Sequence, residues 1–515
     1  MGDTGMPKKF STDLTDYSVQ HSEKTGPYAD NLDVDAIIVG AGFAVPSWLP
    51  IQAGIFMLKT LRDRGYNVVV FEAGNDLGGT WRWNCYPGAG VDSEVPEYEF
   101  SWPEVWKTWN WSSNYPTYED LRAYFDHVDK ILGIKKDCAF NTVVVGGKFD
   151  TQQGKWTIRT EDGRVSQAKN LVLGTGFRTP NLAVPMRRRR LTAADQDARK
   201  RAYDELFRYR ETCYGGFHYD WIERNTFDDT AAEREAVYER AWREGGFRYW
   251  VGLYKDNLID PDANKESYRF WAKKTRARVG DPAKRELLAP KEMPHFFGVK
   301  RPCLESDYYE QFNRENFHLV DVKNNPIERF TKKGIMLKDG THHEFDVVAV
   351  ATGFILTTLP TVMTQLGLES ITGEKLADQW RDGAKTYLGT TVSGYPNMFH
   401  LYGPQGPTLL SNGPSTVEVQ GRWIADMMDK MSRGGIRYVN PRPEAADAYK
   451  KKIVELNDRT LFPTTRSTYM GGSIPGKVYE PVCWAGGIPA YKQEIRAALD
   501  RMDGFEVVKG WVCVL

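Results

Sequence analysis

Nowhere in these 515 residues does an uninterrupted apolar run reach the ~18 residues that a membrane-spanning helix needs, so no membrane span is expected. Charge of one sign is missing as well. The 68 Lys and Arg balance the 68 Asp and Glu, and a chain without a net field has no general attraction for nucleic acid or an anionic membrane. Cysteine is scarce: Cys85, Cys138, Cys213, Cys303, Cys483 and Cys513 are scattered and form no CxxC pair. That excludes the usual zinc and disulfide frameworks, so no metal is expected and the thiols read as reduced, in a cytoplasmic setting. Residues 1–30 lack an apolar h-region and read as a flexible tail rather than a signal peptide. Hydrophobic residues at 41% and charged residues at 26% are ordinary for a globular protein, and the length suits two or three domains.

What is present begins with "VDAIIVGAGFAVPSWLPIQAGIFMLKTLRDRGYNVVVFEAG", residues 34–74. Ala36–Val39 suits a buried parallel strand, and Gly40-Ala-Gly42 follows directly. Met57–Arg64 has helical character that Gly65 stops, and Asn67–Phe71 is a second strand ending at Glu72. Strand, glycine turn, helix, strand and acid make a dinucleotide cradle. The glycines let a pyrophosphate approach the helix N-terminus, and the acid accepts hydrogen bonds from ribose hydroxyls. The spacing departs from the rule, because Gly42 and Glu72 stand 30 positions apart where about 20 is usual. Removing Ala44–Gln52, with its two prolines and a tryptophan, leaves GAGFAGIFML, a regular GxGxxG. We read an insertion there, and expect it to displace the helix N-terminus from the pyrophosphate.

The next stretch, "GNDLGGTWRWNCYPGAGVDSEVPEYEFSW" (residues 74–102), is more specific. Gly78, Gly79, Trp81, Tyr86, Pro87, Gly88 and Asp92 fit the pattern [A/G]GxWxxxxYPGxxxD, and here the chain resembles the Baeyer–Villiger monooxygenases. The resemblance implies FAD and NADPH as cofactors. It places Thr80, Trp81, Arg82, Trp83, Asp92, Ser93 and Tyr98 along FAD, and sets Gly90, Val91 and Asp92 also toward NADP. Thr117-Tyr-Glu-Asp120 then reads as a capping box opening a helix over residues 121–131.

Similarity to the family, and to its fungal members above all, continues through "FGVKRPCLESDYYEQFN" (297–313), "DVVAVATGF" (346–354) and "YMGGSIPGK" (469–477). Ala351-Thr-Gly-Phe354 marks, by resemblance, the return of the chain into the FAD domain. Between these lies a charged, aromatic, helical region with a capping box at Thr230–Glu233 and an N-cap pair at Asp281-Pro282. Its Tyr203, Tyr209, Tyr238, Trp242, Trp250 and Trp271 are expected to pack a core, and Arg187–Arg190 to be a solvated run. In "KNLVLGTGFRTPNLAVPMRRRR" (169–190), two family segments normally separated by roughly 65 residues are joined, where a single βαβ unit alone takes about 30. Neither FxGxxxHxxxW nor a second GxGxxG occurs. Arg178 and Thr179, which with Lys300 would grip the 2′-phosphate of NADPH, remain without their strand and turn. Two smaller departures are Ile355 with Leu359–Val362 after ATGF, and Thr468 where relatives carry a tryptophan that touches the cofactor.

Arg301, within Lys300-Arg-Pro302, matches the family's catalytic arginine. A guanidinium does not deprotonate in proteins, so its role is electrostatic, toward the anionic oxygen and the oxyanion adduct with a ketone. Asp92 would orient it. The expected fold class is α/β, with two dinucleotide-binding (Rossmann-like) domains, the NADPH one truncated and carrying a helical insert. The expected boundaries are an FAD domain over 31–179 and 341–515, and the NADPH remnant over 180–340. The expected reaction inserts one oxygen atom of O2 beside a small-molecule ketone, giving an ester or lactone, in fungal secondary metabolism. Two alternatives are a non-catalytic FAD-binding remnant and a flavin monooxygenase acting on nitrogen or sulfur; the [A/G]GxWxxxxYPGxxxD run argues against the latter.

Overall fold

Ile37 lies between Val69 and Leu171 in a parallel ladder, and all three side chains are buried. This is the centre of the molecule in the computed structural model, which describes residues 30–41, 53–174, 182–349, 363–472 and 478–510. Strand β1 (Asp33–Val39) is flanked by β2 (Val68–Phe71) on one side and β6 (Val165–Leu173) on the other. The sheet extends through β3 (Cys138–Ala139), β4 (Val144–Asp150), β5 (Lys155–Thr160) and β12 (Leu368–Glu369), in the order β12-β4-β5-β6-β1-β2-β3. Strand β13 (Met398–His400) also pairs with β6. The run AIIV is apolar throughout because a parallel strand with both faces covered needs no polar alternation.

Helix α1 (Ala53–Asp63) returns the chain from β1 to β2 and buries Ile55, Met57, Leu58 and Leu61. Replacing either leucine by alanine would cost about 2–5 kcal/mol. Its outer neighbour is the long helix Gly413–Arg433, where the bare Cα of Gly421 leaves space for the Phe56 ring. The capping box stands as read: Thr117 Oγ1 accepts from the Asp120 amide, the Asp120 carboxylate accepts from the Thr117 amide, and the helix Tyr118–Leu132 follows. The Thr230–Glu233 box opens the helix Ala231–Glu244, and Asp281 caps the helix Pro282–Leu288.

In the helical middle of the chain, Tyr203, Tyr238, Trp242, Trp250 and Trp271 are buried, as expected of a core. Tyr209 is a correction, being 47% exposed. Tyr203 and Phe207 share one face of the helix Tyr203–Tyr209 and turn it inward; two residues further on, Tyr209 is carried to the far side. Arg187, Arg188, Arg189 and Arg190 are all exposed, as a solvated run should be.

Strand β7 (Ala183–Pro185) and strand β8 (Cys303–Glu305) form a two-stranded parallel sheet, and no glycine follows β7 in Pro185-Met-Arg-Arg-Arg-Arg190. Strands β9 (Ile327–Thr331), β10 (Gly334–Leu337) and β11 (His342–Glu344) make a separate antiparallel sheet. Around it the apolar residues are unusually open: Phe330 is 60% exposed, Phe345 51% and Val347 80%. The sequence Asp346-Val-Val-Ala-Val350 has the composition of a buried strand, yet Val347 and Val348 face solvent.

The expectation that the insertion displaces the helix N-terminus is also corrected. A Cβ on Gly54 would fall inside the van der Waals shell of the Gly40 carbonyl oxygen, so α1 starts directly against the end of β1. Residues Ala44–Gln52 themselves lie outside the described residues, as do Ala351–Phe354, Ile355 and Leu359–Val362.

Candidate active site

Gly40 closes β1 with φ +104°, a conformation that side chains rarely adopt. Its carbonyl faces Gly54, and a Cβ at Gly174, just past β6, would meet Ala53 and the Gly54 amide. Three glycines thus let two strands and a helix N-terminus converge, which is how a dinucleotide fold brings backbone close to a pyrophosphate. Gly42 lies outside the described residues. At the end of β2, the buried Glu72 carboxylate accepts from the Ala41 amide at 2.6 Å and the Gly74 amide at 2.7 Å. Burial raises its pKa, and the two amide bonds only partly counter that. Strand ends, helix and acceptor carboxylate fit the adenosine side of FAD. Gly54→Val should therefore lose flavin: after incubation with FAD and desalting, its visible absorbance should fall at least tenfold below wild type. Equal absorbance would remove the close helix approach from the site.

Past Glu72, Asp76 pairs with Arg122 at 2.6 Å and Lys135 at 2.9 Å, and Arg122 also donates to the Leu77 carbonyl. The short helix Thr80–Trp83 buries Thr80 and Trp81. Trp81 Nε1 donates to Tyr98 Oη at 2.9 Å, which ties two residues assigned to FAD to one another. Arg82 donates to Asn75 Oδ1, and Trp83 is 48% exposed. Val91 and Ser93 are buried, and Gly90 bridges to Thr117 with the Arg188 guanidinium beside it.

Asp92 and Arg301, 209 positions apart in sequence, meet. Arg301 Nε and Nη2 donate to Asp92 Oδ2 at 3.1 and 3.0 Å, and Nη1 donates to the Leu409 carbonyl at 3.2 Å. The guanidinium lies 4.4 Å from the Phe247 ring centre and 5.7 Å from that of Trp250, and Arg301 is only 3% exposed. Burial opposes its charge, but Asp92 outweighs this and holds the pKa above the ordinary arginine value. The result is a cation fixed in a plane, desolvated, with low local dielectric. There it acts far more strongly on a developing negative charge than it would in water. Lys300 is half-buried beside it. Arg178 and Thr179 lie outside the described residues.

A second charged group lies close by in sequence: Glu94, two residues after Asp92, pairs with Arg248 Nη1 at 2.6 Å, and Arg248 adjoins Phe247. His218 Nδ1 faces Glu97 Oε1 at 2.7 Å and Nε2 faces Glu94 Oε1 at 3.3 Å. Burial works against the charge of His218, but the two carboxylates push its pKa up to about 9. A folded pKa above the unfolded ~6.5 stabilises the fold fully below pH 6.5. That stability is lost as pH rises through about 9. The melting temperature should thus fall between pH 6.5 and 9.5, and His218→Gln should flatten that fall. An unchanged slope in the variant would discount the cluster.

Several of these residues escape sequence reading. Gly54 is not one of them: the sequence already names it as the third glycine of GxGxxG once Ala44–Gln52 is set aside, and only its contact with the Gly40 carbonyl is new. Phe247 and Trp250 reach Arg301, and His218 reaches Glu94 and Glu97, only through tertiary packing, and no spacing rule signals them. NADPH is a different case from FAD. Among the described residues no second glycine turn with its strand and helix exists, and β7–β8 alone does not make a nucleotide cradle.

Fold and site together define a flavin-type dinucleotide-binding protein with a buried arginine paired to a half-buried aspartate beside the cofactor domain. No protein-family profile matches the chain. The FAD-binding monooxygenase acrE of Aspergillus aculeatus is 48% identical across 96% of this chain and 93% of its own length. Cyclopentanone 1,2-monooxygenase of a Comamonas species is 34% identical across 95% and 98%. The structure of cyclohexanone monooxygenase from Rhodococcus sp. Phi1 bound to NADP+ superposes with a TM-score of 0.85 at 27% identity, covering 93% of this chain and all of that one. The chain belongs to the Baeyer–Villiger monooxygenases, flavoprotein enzymes whose cofactors are FAD and NADP. The α/β fold with two dinucleotide-binding domains is the fold of that family. Among the described residues no helix is long and apolar enough to cross a membrane.

Proposed function

We propose that this chain carries the oxygen-inserting site of a ketone-oxidising Baeyer–Villiger monooxygenase of fungal secondary metabolism, acting in the cytoplasm, with its FAD site kept and its NADPH cradle lost. The observation that carries the reading is the enclosed Asp92–Arg301 pair, beside residues that suit FAD. Bound FAD, once reduced, supplies the oxygen atom taken from O2. Glu72 accepts from the ribose, and Thr80, Trp81 and Tyr98 shape the wall along the ring system. Arg301 holds negative charge at the reacting carbonyl oxygen and Asp92 fixes its plane. Lys300 and Arg178 supply positive charge, and Thr179 a hydroxyl donor, for the 2′-phosphate of NADPH.

The domain division is 31–179 plus 341–515 for FAD and 180–340 for the NADPH remnant. Loss of the cradle is supported by the exposed Val347 and Val348, which have the composition of a buried strand but face solvent. It is supported too by the alignment to acrE, which runs over 561 positions against 515 residues here, so that this side carries gaps. That same observation favours a second reading, a non-catalytic FAD-binding remnant. Reconstitution separates the two from a chain with no flavin site. After incubation with FAD and desalting, the chain should show flavin absorbance both with Ala44–Gln52 in place and with it excised, since the helix already starts against the end of β1. A colourless protein in both forms would remove the FAD reading.

A further inference from the structure

Trp250, whose ring lies 5.7 Å from the Arg301 guanidinium, also lines a cavity of about 70 Å³. Tyr214, Trp221, Tyr254, Leu258 and Phe462 wall it, and Asn257, Lys255 and Thr460 are among its polar lining. Trp250 is a wall shared with the active site, and Phe462 packs at 4.8 Å on Tyr469, which lies in the field of Arg301.

The polar atoms of the aromatic walls are already committed. Tyr214 Oη donates to the Ala485 carbonyl, Trp250 Nε1 to the Gly298 carbonyl, Trp221 Nε1 to Glu223 and Tyr254 Oη to Asp229. Thr460 Oγ1 donates to the Asn457 carbonyl. Asn257 differs. Its residue is 3% exposed, and its Nδ2 has no hydrogen-bond partner among the described residues. Its backbone is pinned, the amide on the Tyr254 carbonyl and the carbonyl on Asn264 Nδ2. A buried amide donor left unpaired costs about 1–3 kcal/mol, so a position that keeps one is expected to meet an acceptor.

We propose that this cavity seats the end of the substrate remote from the reacting carbonyl, and that Asn257 reads an oxygen acceptor there. The inference rests on the proposed monooxygenase site. It names the substrate class as an aryl or other flat-ringed ketone with a second oxygen acceptor, an ether or carbonyl, away from the ketone. The cavity is too small for a whole multi-ring ketone, since one water-sized probe already takes roughly 10–15 Å³. Flat walls of Trp and Tyr suit a ring or its substituent. Lys255 at the lining adds a second donor and no acceptor, so the polar demand of the site runs in one direction.

The test is equilibrium binding to the full chain without NADPH, so that failure of turnover leaves it readable and failure of binding leaves the oxygen-inserting site untouched. Two probes of nearly equal shape are titrated calorimetrically, 4-methoxyacetophenone with the acceptor and 4-ethylacetophenone without it. The methoxy ketone should bind roughly 3- to 10-fold tighter, the range for one net hydrogen bond. Asn257→Leu should erase the difference while keeping the ethyl probe's affinity. Asn257→Asp, of the same shape but an acceptor, should weaken the methoxy probe below the ethyl one. Ala485→Phe, filling the cavity, should weaken both. Equal binding of the two probes to wild type would mean that Asn257 holds water only and would overturn the proposal, as would a preference that survives Asn257→Leu.

Discussion

NADPH absorbance is expected to stay level when the unaltered chain, saturated with FAD, is stirred under air with a panel of ketones. Hydride transfer needs the nicotinamide held against the flavin within about 3–3.5 Å. The adenosine and pyrophosphate hold it there, and their binding needs a glycine turn ahead of a helix. Strand β7 runs instead into Met186 and four arginines, and its sheet is two strands wide. Arg178, Thr179 and Lys300 bring attraction for a phosphate, but charge alone does not position a ring. Restoring the roughly 65-residue family segment after Gly176, room for the βαβ unit of about 30 residues or more, should bring ketone-dependent oxidation back by at least 100-fold. Brisk ketone-dependent turnover by the unaltered chain would mean that another surface places the nicotinamide.

In the restored chain, Arg301→Lys should go on oxidising NADPH while ester formation falls by about 100-fold or more, the scale for one oxyanion-stabilising donor. The electrons should appear as hydrogen peroxide. Lysine keeps the charge but cannot place two N–H groups on Asp92 Oδ2 and a third on the Leu409 carbonyl. Nor can it present a flat face to Phe247, 4.4 Å from the guanidinium. Gas chromatography of the ester, with a peroxide assay on the same sample, checks both. Wild-type ester yield in the variant would take Arg301 out of the chemistry.

Much of this architecture can be read in the sequence because it is local. β1, α1 and β2 follow from an apolar run, a helical pattern and a second apolar run, and the Thr117, Thr230 and Asp281 caps from single residues at fixed offsets. Asp92 and Arg301 can be named together only through the family motif, since nothing in the chain between them, 209 positions apart, says that they touch. What stays hidden is set by packing. The motif names Gly54 once nine residues are set aside, but its close approach to the Gly40 carbonyl appears only in the fold. The displacement expected from those nine residues fails because the helix is held by its own buried face, Ile55, Met57, Leu58 and Leu61, whatever the length of the preceding turn. Tyr209 misleads because aromaticity was weighed without the helix face it occupies. The unpaired amide of Asn257 has no signature in sequence at all.

The most direct test is a calorimetric titration of NADP+ into two FAD-saturated proteins, the unaltered chain and the same chain with the family segment restored. Binding to the restored chain, with no measurable heat from the unaltered one, is the predicted result. Equal affinity in the two would contradict it, by showing that the NADPH site survives without its second glycine turn.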